Sequence, residues 1–407
     1  MNTTPDMFKD TSTDLEVLTH RSGKYVFQIG LNLEKIGPLI DRAKDAHARF
    51  VSVPMLPQVA QQLQQSVIVS SVFGTNTIEG GTLTEDEIFK IFEETPSPQK
   101  IKKEKERRVL NIRNAYNLAE ELSKNLKEKN ILFEGQRGTN ILIDEKLIKD
   151  LHALITEGLT HPRNIPGKYR NNEKGFYTRV GDADHGGTYK PPTCFDDITM
   201  LMQALVTWVN SEQIMAQHPL IRAPLLHYYF ERIHPFWDGN GRVGRVLEAI
   251  ILKGSGMMYA PFGLARSYFE HIDEYFTVFN TSRRLEEAAD PAPNTPFVEF
   301  FLHRLREVFD YLHSNVNGMI GVILYENFLH HYLQNKKINT RQYTIISNLL
   351  IMRDRQILTE VQLMPWYKAL YIDLTRRTRD RDIRKLIDLK LMEITEDNRL
   401  KLLIPGS

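Results

Sequence analysis

The sequence has a single cysteine, Cys194, among its 407 residues. One cysteine excludes an internal disulfide and a cysteine-rich zinc cluster, and it is typical of proteins kept in a reducing compartment. The polar N-terminus, Met1–Asp14, lacks the apolar run of a signal peptide. We therefore expect a cytoplasmic protein.

The sequence also has no long apolar run and almost no net charge. No stretch of about 18 uncharged apolar residues occurs, so the sequence predicts neither a membrane-spanning helix nor a membrane partner. The 52 Lys and Arg residues nearly balance the 51 Asp and Glu residues, which leaves a net charge of +1. That balance supplies no global field for nucleic acid, so any such binding would have to be local.

Several common catalytic motifs are missing too. Neither a Walker A nor a G-x-S-x-G sequence occurs, and there is no H-E-x-x-H pair. No partners at metal-ligand spacing accompany His161, His185, His218 or the pair His330 and His331. The sequence therefore does not support zinc chemistry.

The apolar periodicity predicts a mainly α-helical chain. The charged run Lys100–Arg108 predicts a solvated helix face, and Thr84 to Glu87 resembles a capping box. The aperiodic stretch 167–192, rich in Gly, Asn, Asp and Pro, predicts a long surface loop or hairpin. From residue 336, three helical segments, the second at Glu360–Leu370, precede a hairpin, which is the order of a winged helix-turn-helix domain.

The segment HPFWDGNGRVGR, residues 234–245, lies between two helical patterns. Its stretch 239–241 is flexible enough for successive backbone N–H groups to point at one anion, and the following helix adds the positive end of its dipole. Arg242 and Arg245 share one face of that helix and can hold further phosphate oxygens. This part of the sequence predicts a phosphate-binding site.

Two side chains of the same segment bring reactive chemistry to that site. Asp238 is a hard carboxylate of the kind that holds Mg²⁺ against bound phosphates. His234 offers a base that works near physiological pH. Because base, metal ligand and phosphate site fall within twelve residues, we expect phosphate chemistry here. His227, further upstream, is predicted to be a buried packing residue.

The segment resembles the H-P-F-x-D-G-N-G-R-x-x-R signature of the Fic family, whose members transfer AMP from ATP to protein hydroxyls. All nine fixed positions match, and the resemblance covers roughly residues 142–284. It implies a helical core with a short β-hairpin flap, ATP and Mg²⁺ as cofactors, His234 as the catalytic base and Asp238 as the metal ligand. The nucleotide-binding residues that it implies are Gly239, Asn240, Gly241, Arg242, Val243, Gly244, Arg245, Tyr275 and Phe276.

Tyr275 and Phe276 enter that set because members of the family usually have paired tyrosines beside the nucleotide base. The second position departs from this pattern. The alternative interpretation is a pair of core aromatics on a helix.

A second motif lies upstream of the core. Thr75–Gly80 fits the pattern S/T-x-x-x-E-G/N of an inhibitory helix found in one class of the family. The resemblance makes Glu79 a regulatory residue, and its carboxylate could pair with Arg245. We therefore divide the chain into an N-terminal arm at 1–55, a helical region with the inhibitory motif at 56–140, the Fic core with flanking helices at 141–335 and a winged-helix-like domain at 336–407.

The stretch 167–192 is similar to the family's flap, a β-hairpin that aligns the target segment by main-chain pairing. Its docking edge is predicted to comprise Gly186, Gly187, Thr188 and Tyr189. The implied partners are target proteins with an exposed Ser, Thr or Tyr hydroxyl, including the protein itself. We also predict that a second copy of the chain is a partner, in a homodimer.

Three alternatives remain at this point. Glu79 could orient a water that removes AMP from a modified target, and an inverted nucleotide could donate whole phosphate instead. The third alternative is a regulator in which residues 336–407 contact DNA or protein. For DNA, the last helical segment offers Arg376, Arg377, Arg379, Arg381, Arg384 and Lys385, and the acidic residues Asp380, Asp382 and Asp388 dilute that charge.

Overall fold

The computed structural model describes residues 14–94, 103–128, 141–173, 176–352 and 356–404. These residues are mainly helical, as predicted. The helices are α1 (Leu33–Val51), α2 (Pro57–Ile78), α3 (Glu85–Glu94), α4 (Glu104–Glu128), α5 (Glu145–Thr156), α6 (Phe195–Val209), α7 (Glu212–Met215), α8 (Pro219–Ile233), α9 (Asn240–Gly254), α10 (Ala260–Glu270), α11 (Ile272–Glu287), α12 (Thr295–Gln334), α13 (Thr340–Met352), α14 (Leu358–Leu363), α15 (Pro365–Ala369) and α16 (Arg376–Asp388). Short antiparallel pairs complete the described part, and they are β1 (Leu15–Leu18) with β2 (Lys24–Phe27), β3 (Val180–Asp182) with β4 (Gly187–Tyr189), and β5 (Met392–Ile394) with β6 (Leu400–Leu402).

The chain forms two compact units. The first contains Met1–Ser52 and Ala60–Tyr311, and the second contains Val53–Val59 and Leu312–Ser407. The four-part division made from the sequence stays a prediction. None of the described helices has the length and apolar character that a membrane span requires.

The α8–α9 pair lies at the centre of the first unit. Almost every residue of α8 is buried because its sequence is apolar around the whole helix rather than along one stripe. α9 packs against α8, and α4, α5 and α10 pack against α9. Residues 234–239 join these two helices, so the predicted phosphate-binding loop is anchored in the most buried part of the unit.

The upstream motif lies at the end of its helix. α2 stops at Ile78, and Gly80 follows with a φ of 78°, a conformation that glycine adopts without strain. The capping box at the start of α3 is also confirmed. The backbone N–H of Thr84 donates to Glu87 Oε2 at 2.8 Å, and the N–H of Glu87 donates to Thr84 Oγ1 at 3.3 Å.

A β-hairpin lies within the stretch 167–192, as predicted. Its register pairs Val180 with Tyr189 and Asp182 with Gly187. In the second unit, the four helices α13 to α16 precede the β5–β6 hairpin, where three were predicted, and the winged helix-turn-helix assignment stays a prediction. An antiparallel bridge pairs Ile357 with Arg399, the residue directly before β6.

The helix predicted at Glu360–Leu370 is wrong in one respect, because this segment forms two helices, α14 and α15. Met364 between them is extended, with φ −65° and ψ 143°. The ring of Pro365 disfavours helical geometry at the preceding residue, and proline is well tolerated in the first turn of the next helix.

Candidate active site

The loop between α8 and α9 has a fixed backbone. His234 caps the C-terminus of α8 in the left-handed conformation, with φ 50°, and Gly239 precedes α9 with φ 87°. The amide of Asn240 closes the loop: its Oδ1 accepts from the N–H of Phe236 and its Nδ2 donates to the C=O of Phe236, both at 2.9 Å. The free N–H groups of the first turn of α9 therefore face one place, where an anion can bind.

His152 of α5 packs against this loop. The sequence did not predict this role. Its ring stacks on Phe236 with centroids 3.6 Å apart, and its Nε2 lies 3.0 Å from the C=O of Asp238. The N–H of Gly167 donates to Nδ1, so the ring proton must be on Nε2. Burial lowers the pKa of His152 to about 4, which keeps the ring neutral at physiological pH.

Arg170 holds the other end of the loop and was also missed as a functional residue. It is fully buried, its Nε donates to the C=O of His234 at 2.7 Å, and its backbone N–H donates to the C=O of Pro235. Burial lowers its pKa to about 10, so the guanidinium stays charged at neutral pH. A carbonyl that accepts from a buried cation is held firmly, which fixes the backbone of the predicted base.

The imidazole of His234 is 20% exposed, and its Nδ1 lies 3.4 Å from Oε2 of Glu231. Asp238 is 33% exposed and accepts from Nη2 of the buried Arg242 at 2.6 Å. Burial alone would raise the pKa of Asp238, but the Arg242 charge holds it below its usual value. Asp238 is therefore an ionised carboxylate at neutral pH, which suits a role as a ligand of a hard cation.

Glu79 and Arg245, which are far apart in the sequence, are in contact. Nη2 of Arg245 donates to Oε1 of Glu79 at 2.7 Å, with the Glu79 side chain 25% exposed. Burial alone would raise the pKa of Glu79, but Arg245 and Arg242 lower it. A Cβ at Gly241 would overlap Oε1 of Glu79, so the carboxylate lies directly against the first turn of α9.

The position of Glu79 is supported by α4. Nη2 of Arg108 donates to the C=O of Glu79 at 2.7 Å, and Oγ1 of Thr75 lies 2.9 Å from the hydroxyl of Tyr116. The solvated helix face predicted for the run Lys100–Arg108 is thus wrong for its last residue, and residues 100–102 lie outside the described residues. Arg108 ends the run next to apolar residues, and it is half-buried where it contacts Glu79.

The predicted nucleotide-binding residues fall into two environments. Tyr275 is buried, and its hydroxyl accepts from Nη1 of Arg245 at 3.3 Å. Val243 is fully buried in the core, whereas Phe276 is half-buried beside the ring of His185. Contact between Tyr275 or Phe276 and a nucleotide base stays a prediction.

The hairpin β3–β4 lies against α11. The carbonyls of Gly186 and Gly187 accept from Arg284 and Asn280, respectively. Tyr189 turns inward and its hydroxyl donates to the C=O of Glu231 at 2.8 Å, while Thr188 is exposed. Helix α11 thus already uses two of the main-chain acceptors in the predicted docking edge, and target docking stays a prediction.

His185 bridges this hairpin to α11. Its Nε2 lies 3.1 Å from Oδ1 of Asp273, and its Nδ1 lies 2.7 Å from Oδ1 of Asp182. These hydrogen bonds, first to Asp273 and then to Asp182, raise the pKa of His185. The double bridge needs both ring protons, so it is complete below the raised pKa and is lost as the pH rises through it.

We expect the ring of His185 to titrate above the usual histidine value in an NMR pH titration. Asp273→Asn should lower that pKa, because it removes the charge of the first partner. The titration of His185 in the wild type serves as the reference. An unchanged His185 titration in Asp273→Asn would show that the bridge does not form in solution.

No group of three His, Cys, Asp or Glu side chains that could hold a metal ion occurs in the described parts of the chain. The role of Asp238 as a metal ligand therefore stays a prediction. Its carboxylate fits a magnesium ion whose other ligands are phosphate oxygens and water, because Mg²⁺ in nucleotide sites is commonly held by one or two carboxylates.

Part of this site lies in a segment that is similar to known proteins. Residues 142–252 match the model of the Fic/DOC family. A stretch of 119 residues is 35% identical to "Protein adenylyltransferase Fic" of Drosophila erecta, and it covers 29% of this chain and 23% of that protein. The protein of the same name from Drosophila grimshawi is also 35% identical, with 29% of this chain and 24% of that protein covered.

Two solved structures share the fold. A Fic family protein from Desulfovibrio desulfuricans G20 aligns with a TM-score of 0.50 at 20% identity, covering 92% of this chain and 97% of that one. A Fic domain containing signaling protein from Bacteroides thetaiotaomicron VPI-5482 aligns with a TM-score of 0.51 at 18% identity, covering 70% and 97%. At these identities the likeness concerns the fold alone. The α8–α9 loop of the candidate site therefore lies in the segment that matches the Fic/DOC family, within a chain that shares the fold of two Fic proteins.

Proposed function

We propose that this protein transfers AMP from ATP to a Ser, Thr or Tyr hydroxyl of a target protein. The observation that carries the proposal is the α8–α9 loop, in which His234 ends α8, Asp238 pairs with Arg242 and the N-terminus of α9 follows directly. The relatives named protein adenylyltransferase support a Fic-type transferase.

The free N–H groups at the start of α9 would hold the α- and β-phosphates. Nη2 of Arg245 would contact the γ-phosphate once Glu79 has left it. Asp238 would hold Mg²⁺, which neutralises phosphate charge when it is bound. Such fixed positive groups supply most of the rate in phosphate-transfer chemistry, because there is little covalent work for the protein to do.

His234 would act as the general base. Its imidazole takes the proton of the target hydroxyl while the hydroxyl oxygen forms a bond to the α-phosphorus. The bond between the α-phosphorus and the bridging oxygen breaks in line, and pyrophosphate leaves. The contacts of His152 and Arg170 with the loop backbone serve this step, because a base must be held within hydrogen-bond reach of the proton.

The Glu79–Arg245 pair would inhibit this reaction. The carboxylate contacts Arg245 at 2.7 Å and lies against the first turn of α9, so it occupies the place that a phosphate oxygen would take. The carboxylate of Glu79 and a bound triphosphate cannot both accept the same N–H of Arg245 Nη2. ATP would therefore bind weakly, or with its α-phosphorus out of line from the hydroxyl.

Removal of AMP would use the same residues in a different way, with Glu79 orienting a water. The two directions are separated by what happens when Glu79 is lost. A transferase inhibited by Glu79 gains activity in Glu79→Gly, whereas an AMP-removing enzyme loses it. The inhibitory contact with Arg245 favours the first direction.

The proposed reaction is tested by incubating the full chain, as wild type and as Glu79→Gly, with Mg²⁺ and ATP that is labelled at either the α- or the γ-phosphate. We expect protein label from α-labelled ATP only, and chelation of Mg²⁺ should abolish it. Label from γ-labelled ATP would identify whole-phosphate transfer. The absence of label in both variants, with or without added candidate target proteins, would overturn the proposal.

A second candidate function is contact with duplex DNA through α16. Asp382, which the sequence analysis counted against the basic charge of this helix, points into the unit. It is buried and accepts from Nε of Arg341 at 2.9 Å, from Nε2 of Gln342 at 3.1 Å and from the hydroxyl of Tyr371 at 3.1 Å. The exposed cations of α16 are Arg376, Arg377, Arg381, Arg384 and Lys385.

This second function predicts salt-dependent binding of labelled duplex DNA to the full chain, measured by fluorescence anisotropy. The double variant Arg377→Ala with Arg384→Ala should weaken it. Lys90→Ala, which removes an exposed cation of α3, should not. If wild type failed to bind at low salt, the DNA hypothesis would be lost and the transferase proposal would stand.

A further inference from the structure

A buried hydrogen-bonded chain runs inward from Arg245. The hydroxyl of Tyr275 lies 3.3 Å from Nη1 of Arg245 and 3.2 Å from Nε2 of His227. Nδ1 of His227 in turn lies 2.9 Å from Oε2 of Glu248 on α9. His227, predicted from the sequence to be a packing residue, is fully buried, but both of its ring nitrogens have polar partners.

The direction of every proton in this chain follows from its first member. A guanidinium can only donate, so the Tyr275 oxygen accepts from Arg245 and its own proton goes to Nε2 of His227. The ring proton of His227 is then on Nδ1 and is donated to Glu248. The hydroxyl of Tyr268 donates to the other carboxylate oxygen at 2.9 Å, so Glu248 is the acceptor at the end of the chain.

Glu248 and Glu79 act on opposite sides of the arginine. Glu79 contacts Nη2 of Arg245, whereas the buried chain contacts Nη1. The two contacts are therefore independent. When Glu79 leaves, the N–H of Nη2 that it held is released for a ligand, while Nη2 still contacts the C=O of Thr75 at 3.4 Å and Nη1 still contacts Tyr275.

Helix α9 is shaped to admit this chain. A Cβ at Gly244 would lie 2.8 Å from Cδ2 of His227, so the imidazole fits only because this position has no side chain. The rings of Phe279 and Phe297 have their centroids 5.8 and 5.7 Å from that of His227. In such apolar surroundings a polar chain is stable only when each member is hydrogen-bonded, which favours a single arrangement of the whole chain.

We propose that His227 and Glu248 are positioning residues, which act through Tyr275 to orient Arg245 toward the γ-phosphate of ATP. This inference rests on the proposed function, because it assumes that Arg245 contacts that phosphate. It goes beyond that function by assigning a role in ATP recognition to two residues that are too deeply buried to touch the nucleotide.

The test measures the ratio of ATP affinity to ADP affinity, since only ATP offers the γ-phosphate. The parent is Glu79→Gly with His234→Ala, in which the inhibitory contact and the reaction are both absent, and affinities are measured by titration calorimetry with Mg²⁺. In the parent, His227→Phe and Tyr275→Phe should each lower the ratio about tenfold, the size expected for losing one charge-assisted hydrogen bond.

Two further variants separate positioning from general stability. His227→Gln keeps one acceptor and one donor at similar spacing and should retain most of the ATP preference. Tyr268→Phe removes a hydroxyl that only contacts Glu248 and leaves the chain to Arg245 intact, so its ratio should equal that of the parent. Thermal unfolding of each variant shows whether it is folded at the temperature of the titration.

The outcomes are distinct. A folded His227→Phe or Tyr275→Phe with the ratio of the parent would overturn the positioning role. If one of the two does not fold, the other decides. A parent that binds ATP no better than ADP, with no change in Arg245→Ala, would instead remove the γ-phosphate contact on which the proposed function depends, and the inference would fall with it.

Discussion

Replacing His234 by Ala in the Glu79→Gly background should lower AMP transfer by about 10²- to 10⁴-fold, the range usual for loss of a general base. The affinity for ATP should change by no more than a few-fold, because the imidazole is assigned a proton-transfer role and not a binding role. Its side chain is 20% exposed at the loop, so the substitution leaves little buried space. Initial rates of labelling and ATP titrations measure the two effects separately.

His331→Ala is the matched control for this experiment. It removes an exposed imidazole from α12, outside the candidate site, and should leave the rate unchanged. Transfer by His234→Ala at the rate of its parent would remove His234 as the base. A parallel loss of ATP affinity would instead assign the residue to binding.

Loss of the Glu79 carboxylate is expected to have the opposite effect. Glu79→Gly should raise self-labelling by about 10- to 100-fold, since a hydrogen bond between charged groups contributes about 1.5–3 kcal/mol. Glu79→Asp, which is one methylene shorter, should raise it only partly. Glu79→Gly with Arg245→Ala should lose the gain, because the released guanidinium is what orients the triphosphate.

A carboxylate–arginine pair outside the site provides the control. Glu85 of α3 lies 2.8 Å from Nη1 of Arg266, and Glu85→Gly should not raise labelling. Equal labelling by wild type and Glu79→Gly over a range of ATP and Mg²⁺ concentrations would mean that the pair with Arg245 only packs the end of α2. A gain that survives Arg245→Ala would also contradict the mechanism.

The parts of the site that could be predicted are local in the sequence. His234, Asp238 and the first turn of α9 fall within one short segment, so their proximity follows from chain connectivity. The capping box at Thr84 and the glycines after α2 have the same character, because helix ends depend on a few adjacent residues. The mainly helical fold and the hairpin in the stretch 167–192 could be predicted as well, because apolar periodicity and turn residues are also local features of the sequence.

The supports of the loop could not be predicted because they come from distant segments. Nothing in the residues around His152 or Arg170 shows that their side chains bind the carbonyls of Asp238 and His234. Arg108 was assigned to a solvated face because charge patterns do not reveal which turn of a helix meets a neighbour. A histidine within an apolar helical stretch, such as His152 beside Leu151, is the weak signal that could have suggested such a contact.

Burial also decided what a polar residue does. In the sequence, Asp382 is one of several acids in a basic helix, yet four neighbouring donors hold it inward. His227 was expected to pack in the core, and it does, but only the structure shows its hydrogen bonds to Tyr275 and Glu248. Periodicity places such residues on a buried face without naming their partners.

The central claim is that this site transfers AMP to a protein hydroxyl under the control of Glu79. Its most direct test is the intact mass of Glu79→Gly after incubation with unlabelled ATP and Mg²⁺, beside wild type and Glu79→Gly with His234→Ala. We predict that only Glu79→Gly gains the mass of AMP in quantity, on a Ser, Thr or Tyr that fragmentation locates. An unchanged mass in Glu79→Gly, or the gain of a phosphate alone, would contradict the account.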